Sequence, residues 1–378
     1  MDFNLTEEQI LIRDMVREFA DKELRPIAAE IDRDQRYPVE TVERMKALDL
    51  FGLSIPEEYG GSGGDMVSYA LACEELAKVC ASHSAILSVH ITGIKSILQF
   101  GTEEQKKKFI PDMASGKKIA CFCLTEPGAG TDAAAQQSRG VRQGDKFILN
   151  GSKVFITNGS VGGTYCIYVM TDPEKKLKGI TGFIVDRDTP GFSIGQHEDK
   201  MGIRGSVTCE ILYKDMEIPA ENMIGKEGEG FKYAMKVLDS GRIGMAAQAV
   251  GIAQGALDAA VAYIKDRQQF GKPIAANQGI QWMIADMALQ IESARLLTYR
   301  AAAMDDLGLR VSKEAAMAKL AAATTAMDVT IKAVQLHGGI GYTKSFPVER
   351  YMRDAKITEI YEGTNEVMKM IISGSVLA

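Results

Sequence analysis

The apolar residues of this 378-residue chain change their spacing twice along its length, and no other feature limits the possible folds so strongly. From residue 6 to about 116 the spacing is helical. Thr6, with Glu8 and Gln9 close behind, can cap a helix on which Ile10, Met15, Val16 and Phe19 follow at three- to four-residue steps. Pro56 and the turn-rich YGGSGGD run punctuate this third, after which 67–80 and 84–100 read as helices and 102–104 as the capped, acidic start of another. Between about 119 and 225 short runs rich in Val, Ile, Phe, Tyr and Thr are separated by glycine turns, and the pattern predicts strands over 119–124, 146–157, 165–171, 182–187 and 209–218. No helical segment intervenes, so these strands imply an antiparallel barrel or sandwich rather than a parallel nucleotide-binding sheet. The helical period then returns over 235–266, 277–307 and 312–336, each stretch long enough to cross a four-helix bundle. The expected fold class is therefore α+β multidomain: an N-terminal helical domain (1–118), a middle β domain (119–226) and a C-terminal helical bundle (227–378).

Charge and cysteine usage exclude several functions. With 44 basic and 50 acidic residues the chain has a net charge of -6 and no polycationic field to hold a nucleic acid backbone. Its six cysteines, Cys73, Cys80, Cys121, Cys123, Cys166 and Cys209, form no CxxC pair and have no histidine at zinc-finger spacing, so they read as buried thiols in a reducing compartment. The four histidines, His83, His90, His197 and His337, lie apart and none has metal-ligand spacing, so they read as structural and no metal is expected. MDFNLTEEQI lacks the features of a signal or transit peptide, and the longest apolar runs are broken by Lys or Asp, so no membrane span is expected and a cytoplasmic prokaryotic enzyme fits best.

Two stretches carry chemistry. In IYEGTNE (360–366) the carboxylate of Glu362 falls where a helical pattern running from Arg353 to Ile360 is broken by Gly363, and a carboxylate at such a break can point into a cavity. Taken alone it would be an ordinary solvated glutamate at a helix end. In CFCLTEPGAGTD (121–132) Pro127, Gly128 and Gly130 force a loop that offers backbone amides and the hydroxyls of Thr125 and Thr131 to a polar ligand edge, although glycine and proline dominate plain surface turns as well.

The spacing of LTE, two residues, then AGTD resembles a signature of the acyl-CoA dehydrogenases. QLHGGIGY (335–342), followed by PVER (347–350), Arg353-Asp354 and IYEGT, resembles the second signature of the same family. The order helical, β, helical bundle matches as well, so the resemblance covers essentially the whole chain.

The resemblance implies FAD between the β domain and the bundle, with Phe122, Cys123, Leu124, Thr125, Gly130 and Thr131 along the flavin and Phe155, Ile156 and Thr157 as a second wall. Phe155 stands where relatives often carry tryptophan, Thr131 where serine is common, and Ser345 where an acidic residue is usual. Part of the FAD site in this family comes from a neighbouring subunit, which maps onto Arg267, Phe270, Gln278, Gln335, Leu336, Gly338 and Gly339, with Thr364 and Glu366 also at the cofactor. Arginine and amide side chains suit pyrophosphate and adenine edges. A homotetramer, a dimer of dimers, is the implied assembly.

Substrate contacts map onto Thr131, Asp239, Ser240, Arg242, Tyr361 and Gly363, Asp239 and Arg242 meeting the CoA portion. Without the resemblance, Asp239 and Arg242 would be a modest i, i+3 ion pair. Some relatives place their catalytic glutamate at position 241, but here that residue is glycine, which leaves Glu362 as the family-consistent base. The implied reaction is α,β-dehydrogenation of an acyl-CoA to the trans-2-enoyl-CoA: Glu362 removes the α-proton, flavin N5 takes the β-hydride, and electrons pass to an electron-transferring flavoprotein.

LDSGRIGMAAQAVGIAQGALDAAVAY and RYMRDAKITEIYEGTNE are most similar to the bacterial short-chain, butyryl-CoA type. Glutaryl-CoA dehydrogenases carry an arginine near the position of Ser84, and its absence argues against a dicarboxylate tail. A branched short-chain acyl-CoA is the alternative substrate, since one methylene is worth only about 1–3 kcal/mol of discrimination. An acyl-CoA oxidase or a non-catalytic acyl-CoA binding scaffold would share the fold, but the scaffold would not need Glu362.

Overall fold

In the computed structural model, which describes residues 4–378, the first helix is α1 (Glu7–Phe19), and Thr6 caps it as the sequence predicts. The Thr6 hydroxyl accepts the Gln9 amide at 3.2 Å and the Gln9 side chain accepts the Thr6 amide at 3.0 Å. This double duty explains why polar Gln9 is buried while its neighbour Ile10 is exposed. The Gln9 Nε2 also donates to Asp65 at 2.7 Å, and Asp65 caps α4 (Met66–Ala77), which follows α2 (Ala28–Asp34) and α3 (Val39–Ala47). Next come α5 (Ala81–Phe100) and α6 (Glu103–Ala114), the latter with its own capping box on Thr102.

The middle region contains β1 (Ala120–Cys123), β2 (Arg139–Gln143), β3 (Lys146–Thr157), β4 (Thr164–Met170), β5 (Ile180–Asp186), β6 (Phe192–His197), β7 (Thr208–Pro219) and β8 (Met223–Ile224). They pair in the order β6-β7-β3-β2-β4-β5-β8, with β1 beside β4. The Phe147 ring of β3 lies 4.8 Å from Phe183 of β5, and Tyr165 of β4 lies 4.5 Å from Phe192 of β6. Neither pair of strands is adjacent in the ladder, so the sheet folds over a core of its own. Pairing is mostly antiparallel, but β1 runs parallel to β4, an arrangement absent from the sequence-based expectation. The pattern also misses β2, β6 and β8: β2 buries only its glycine, and β6 and β8 are the two ends of the sheet.

The C-terminal third is built on α7 (Gly230–Asp266), which a two-residue hairpin, β9 (Gln268–Gln269) and β10 (Lys272–Pro273), joins to α8 (Gln278–Asp306). Then come α9 (Ser312–His337), α10 (Val348–Thr358) and α11 (Asn365–Leu377). By length and composition α7 could cross a membrane, a match the broken apolar runs do not suggest. However, 72% of its apolar window is buried among other helices, so it serves as a core spine. At Gly251 a Cβ would come within 2.2 Å of the Glu74 carbonyl, so glycine is what lets α4 cross α7 this closely. The asparagine-to-leucine helix α11 does not continue α10; six residues separate them and hold the candidate base.

One apolar cluster runs from the N-terminal helices through the bundle and onto the outer face of the sheet at Cys166, Tyr168 and Ile184. Polar ties reinforce it. The Arg353 guanidinium on α10 makes a two-pronged contact with Asp32 of α2 at 2.7 and 2.8 Å and donates to the Met201 carbonyl at 3.0 Å, while Asp354 accepts the Ile203 amide at 2.6 Å. The helix that leads to Glu362 is thereby fixed to all three regions.

Candidate active site

The chain leaves α10 at Thr358, earlier than the glycine break predicts, and Glu362 itself takes a left-handed conformation (φ +51°) before Gly363 (φ +102°). A non-glycine residue held in that region costs roughly 1–3 kcal/mol and persists only when its surroundings enforce it. Arg242 of α7 donates from Nε to the Glu362 carbonyl at 3.2 Å, and the Lys319 ammonium of α9 donates to the Gly363 carbonyl at 2.7 Å. Beyond the turn, Thr364 caps α11 through the Val367 amide at 3.3 Å, and exposed Glu366 lies in that helix's first turn.

This turn sends the Glu362 carboxylate over α7 at Gly241. A Cβ there would lie 2.5 Å from the Glu362 Oε2 and 3.1 Å from the Thr92 hydroxyl, so glycine leaves room for the carboxylate as well as removing a rival one. Although Glu362 keeps some accessible surface, its Oε2 is enclosed and has no protein partner. The Tyr69 and Tyr361 hydroxyls and both polar ends of Gln248 are enclosed and unpartnered in the same way. Burial pushes the Glu362 carboxyl up to about 7, against the opposing pull of Arg242 and Lys319. At that value it can hold or release a proton near neutrality, which is what a general base requires.

Asp239 and Arg242 form the i, i+3 pair, Nη1 to Oδ1 at 2.7 Å, but Arg242 is buried rather than on an open surface. Asp239 also accepts from Ser312, and burial raises its carboxyl above the ordinary range. The Ser240 hydroxyl is engaged by Asp305 at 3.2 Å. Ser312 opens onto a 520 Å³ cleft lined also by Met304, Arg310, Lys313 and Glu314, whose basic members the sequence reading did not single out.

The loop after β1 is built on a buried ion pair that the sequence did not reveal. Glu126 accepts the Gln137 amide at 2.6 Å, the Ser138 amide at 3.2 Å and the Lys153 ammonium at 2.7 Å, and Lys153 also donates to the Leu124 carbonyl at 2.9 Å and Gln136 at 3.0 Å. Against the upward push of burial, Lys153 and the backbone donors hold the Glu126 carboxyl below its ordinary range. The Val154 amide donates to the Thr125 carbonyl at 2.9 Å, joining the two expected cofactor walls edge to edge. At the bulge between Lys153 and Ile156, Phe155 takes φ +58° and turns its ring outward with 62% of its surface exposed.

In the loop after β1, Thr131 is exposed, and a Cβ on Gly128 or Gly130 would meet nothing within 4 Å. Thr157 and Phe122 are half-buried. The side chains of Cys123 and Ile156 face the inner β core and that of Leu124 faces the main core, so these three offer a ligand only their backbone.

The remaining expected cofactor residues gather elsewhere. The Tyr263 ring near the end of α7 stacks on His337 at the end of α9, 4.3 Å apart, and around this end lie exposed Arg267, Gln278, Gln335, Gly338 and Gly339, fully exposed Phe270 and buried Leu336. Lys319, at the base, and Gln335 are separated along α9 by about 24 Å of helix. One chain therefore does not bring this group to Glu362.

Three family models match the chain: acyl-CoA dehydrogenase N-terminal domain over residues 6–117, middle domain over 121–216 and C-terminal domain over 228–377. It is 56% identical to the short-chain specific acyl-CoA dehydrogenase of Clostridium acetobutylicum, with both chains fully covered. Among solved structures it superposes at TM-score 0.98 on the butyryl-CoA dehydrogenase of Megasphaera elsdenii, at 48% identity and full coverage of both. It superposes equally, at 52% identity and full coverage, on a chain in the structure of the electron transferring flavoprotein of Acidaminococcus fermentans, solved towards a mechanism of flavin-based electron bifurcation.

Proposed function

Because the chain belongs to the acyl-CoA dehydrogenase family, we propose that it dehydrogenates a short-chain acyl-CoA, butyryl-CoA first among them, to the trans-2-enoyl-CoA, with Glu362 as the base. It is a flavin-dependent oxidoreductase. The observation that carries the assignment of the base is the Glu362 carboxylate, enclosed, without a protein partner and poised at about 7 over Gly241.

FAD fits the residues present. The Phe155 ring turns outward, a Cβ at Gly128 or Gly130 would meet nothing within 4 Å, and the exposed Thr131 and half-buried Thr125 and Thr157 add hydroxyls on the strand and loop that the Val154–Thr125 hydrogen bond joins. When bound, the flavin supplies the acceptor for the β-hydride. Glu362 takes the α-proton, and its enclosure excludes the water that would otherwise compete for that carboxylate. Asp239 and Arg242 would orient the CoA arm, and Arg310 and Lys313 along the neighbouring cleft suit its phosphates. A second copy would supply Arg267, Gln278 and Gln335, so a homotetramer accompanies this reading, and an electron-transferring flavoprotein is the natural acceptor. A cytoplasmic setting goes with six buried, unbridged thiols.

Purified protein should be yellow, and anaerobic butyryl-CoA should bleach it; rates across a series of straight and branched acyl-CoA chains then fix the substrate. Folded protein that stays oxidised with every member of the series would overturn the assignment.

A further inference from the structure

Lys319 stands in the alanine-rich middle of α9 with 1% of its surface exposed, beside Ala315, Ala316, Ala318 and Ala322, all fully buried. An ammonium in such a place costs several kcal/mol unless its protons are taken up. Among the described residues Lys319 forms no ion pair; its hydrogen bond goes to the Gly363 carbonyl at 2.7 Å. The preceding carbonyl, that of Glu362, is held by Arg242 at 3.2 Å. Two cations from two different helices therefore grip consecutive carbonyls of the two residues that have left-handed backbones. Arg242 is already neutralised by Asp239 at 2.7 Å, so Lys319 is the uncompensated positive charge beside the base.

We propose that Lys319 is a positioning residue for the base: its grip on the Gly363 carbonyl holds the turn that aims Glu362 over Gly241, and its charge favours the ionised carboxylate.

The groups facing Glu362 can be named from every side. Arg242 comes from α7, Lys319 from α9, Tyr69 and Cys73 from α4, and Tyr361 from the same turn, while Glu359 and Glu366 bear on Lys319. The two tyrosines and the cysteine are driven to their neutral forms chiefly by burial, so the charge balance at the base is set by Lys319 and the Asp239–Arg242 pair. Burial in turn lowers the Lys319 ammonium to about 8, above the Glu362 carboxyl at about 7, so Lys319 is mostly charged where Glu362 begins to ionise.

The proposal rests on Glu362 being the base, and the test keeps the two apart. Lys319→Gln retains a donor for the Gly363 carbonyl without the charge, and Lys319→Met removes both. The carboxyl of Glu362 is titrated by 13C NMR in each holoenzyme, its signal assigned by its loss in Glu362→Gln, and flavin reduction is followed against pH. In Lys319→Gln the titration midpoint and the acid limb of the rate should both rise by about one pH unit, with the high-pH rate close to that of the parent. In Lys319→Met the high-pH rate should also fall about tenfold or more, with little change in KM, because aim is lost rather than substrate binding. Midpoint and rate unchanged in both variants would overturn the proposal; if Lys319→Met does not fold, the midpoint of Lys319→Gln decides. A purely structural lysine would lower thermal stability without moving the midpoint. Failure of the base assignment looks different: Glu362→Gln would keep its turnover.

Discussion

A carboxyl group that is easier to protonate in the folded chain than in the unfolded one works against the fold wherever it must be ionised. Glu362 has an ordinary value of 4.5 and a folded value of about 7. The proton it binds favours the folded state fully below pH 4.5, and that benefit is gone once pH has risen through 7. The penalty above neutrality is on the order of 3 kcal/mol. Glu362→Gln should therefore raise the melting temperature at pH 8 and leave it nearly unchanged at pH 4, while flavin reduction by acyl-CoA is lost and the bound cofactor is kept; equal melting curves for the two proteins at pH 8 would refute this. Gly241→Ala tests the same carboxylate from below. Its Cβ would sit 2.5 Å from Oε2, so the base must move, and a rate loss of about a hundredfold with normal flavin content is expected in a single-turnover assay. The helix break at Glu362 and Gly363 was legible as a local signal, but that signal alone reads as a solvated glutamate, and only the family resemblance singled the carboxylate out as the candidate base. What surrounds it was not legible. Lys319 meets Gly363 across 44 residues and Arg242 meets Glu362 across 120, and such pairings leave no trace in spacing. The usable hint was compositional: a single lysine inside AAMAKLAAA, on a helix face otherwise made of alanine.

At the scale of elements, strand β3 performs two tasks. Through Leu149 and Ile211 on β7 it shares the inner β core, and through Lys153 it holds the loop that carries Thr125 and Thr131. Both members of the Lys153–Glu126 pair are almost fully buried, so removing one leaves the other charge uncompensated. Lys153→Met should cost about 3–5 kcal/mol of stability and lower the flavin content of purified protein, measured together by thermal melting and visible absorbance. A variant that melts like the parent with full flavin would show that the loop is held some other way. The range of β3 matches the sequence pattern residue for residue, although the alternation of buried apolar positions holds only through Phe147 and Leu149 and is broken by register shifts after Leu149 and after Lys153. β2 was unreadable, since RGVRQ has polar and charged residues on both sides of its one buried glycine. The long helices were legible to within a few residues, but α10 ends where tertiary contacts end it, at Thr358, rather than at the glycine five residues on.

At the scale of the whole molecule, two groups of expected cofactor residues lie at different places on one chain, and an exposed apolar face offers a place for a second copy that would bring them together. On α8, Trp282, Leu289 and Leu296 repeat every seven residues with 63%, 68% and 47% of their surfaces exposed, a stripe of the kind that helices bury against one another. The stripe starts one turn after Gln278, so a second copy seated on it would bring its own Arg267 and Gln278 end close to the first. Self-association and cofactor retention should therefore fail together. Trp282 is the only tryptophan in the chain, which makes it an internal reporter: its emission should be blue-shifted in the assembled protein and shift to the red when the assembly is split. Leu289→Arg places a charge in the middle of the stripe without touching any proposed cofactor or substrate residue. Sedimentation velocity should show a smaller species, tryptophan emission should move to the red, and the protein should lose flavin on gel filtration. If the variant dissociates yet keeps its flavin, Arg267, Gln278 and Gln335 do not complete a neighbour's site. If it neither dissociates nor changes its emission, the α8 stripe is not the contact that holds the copies together.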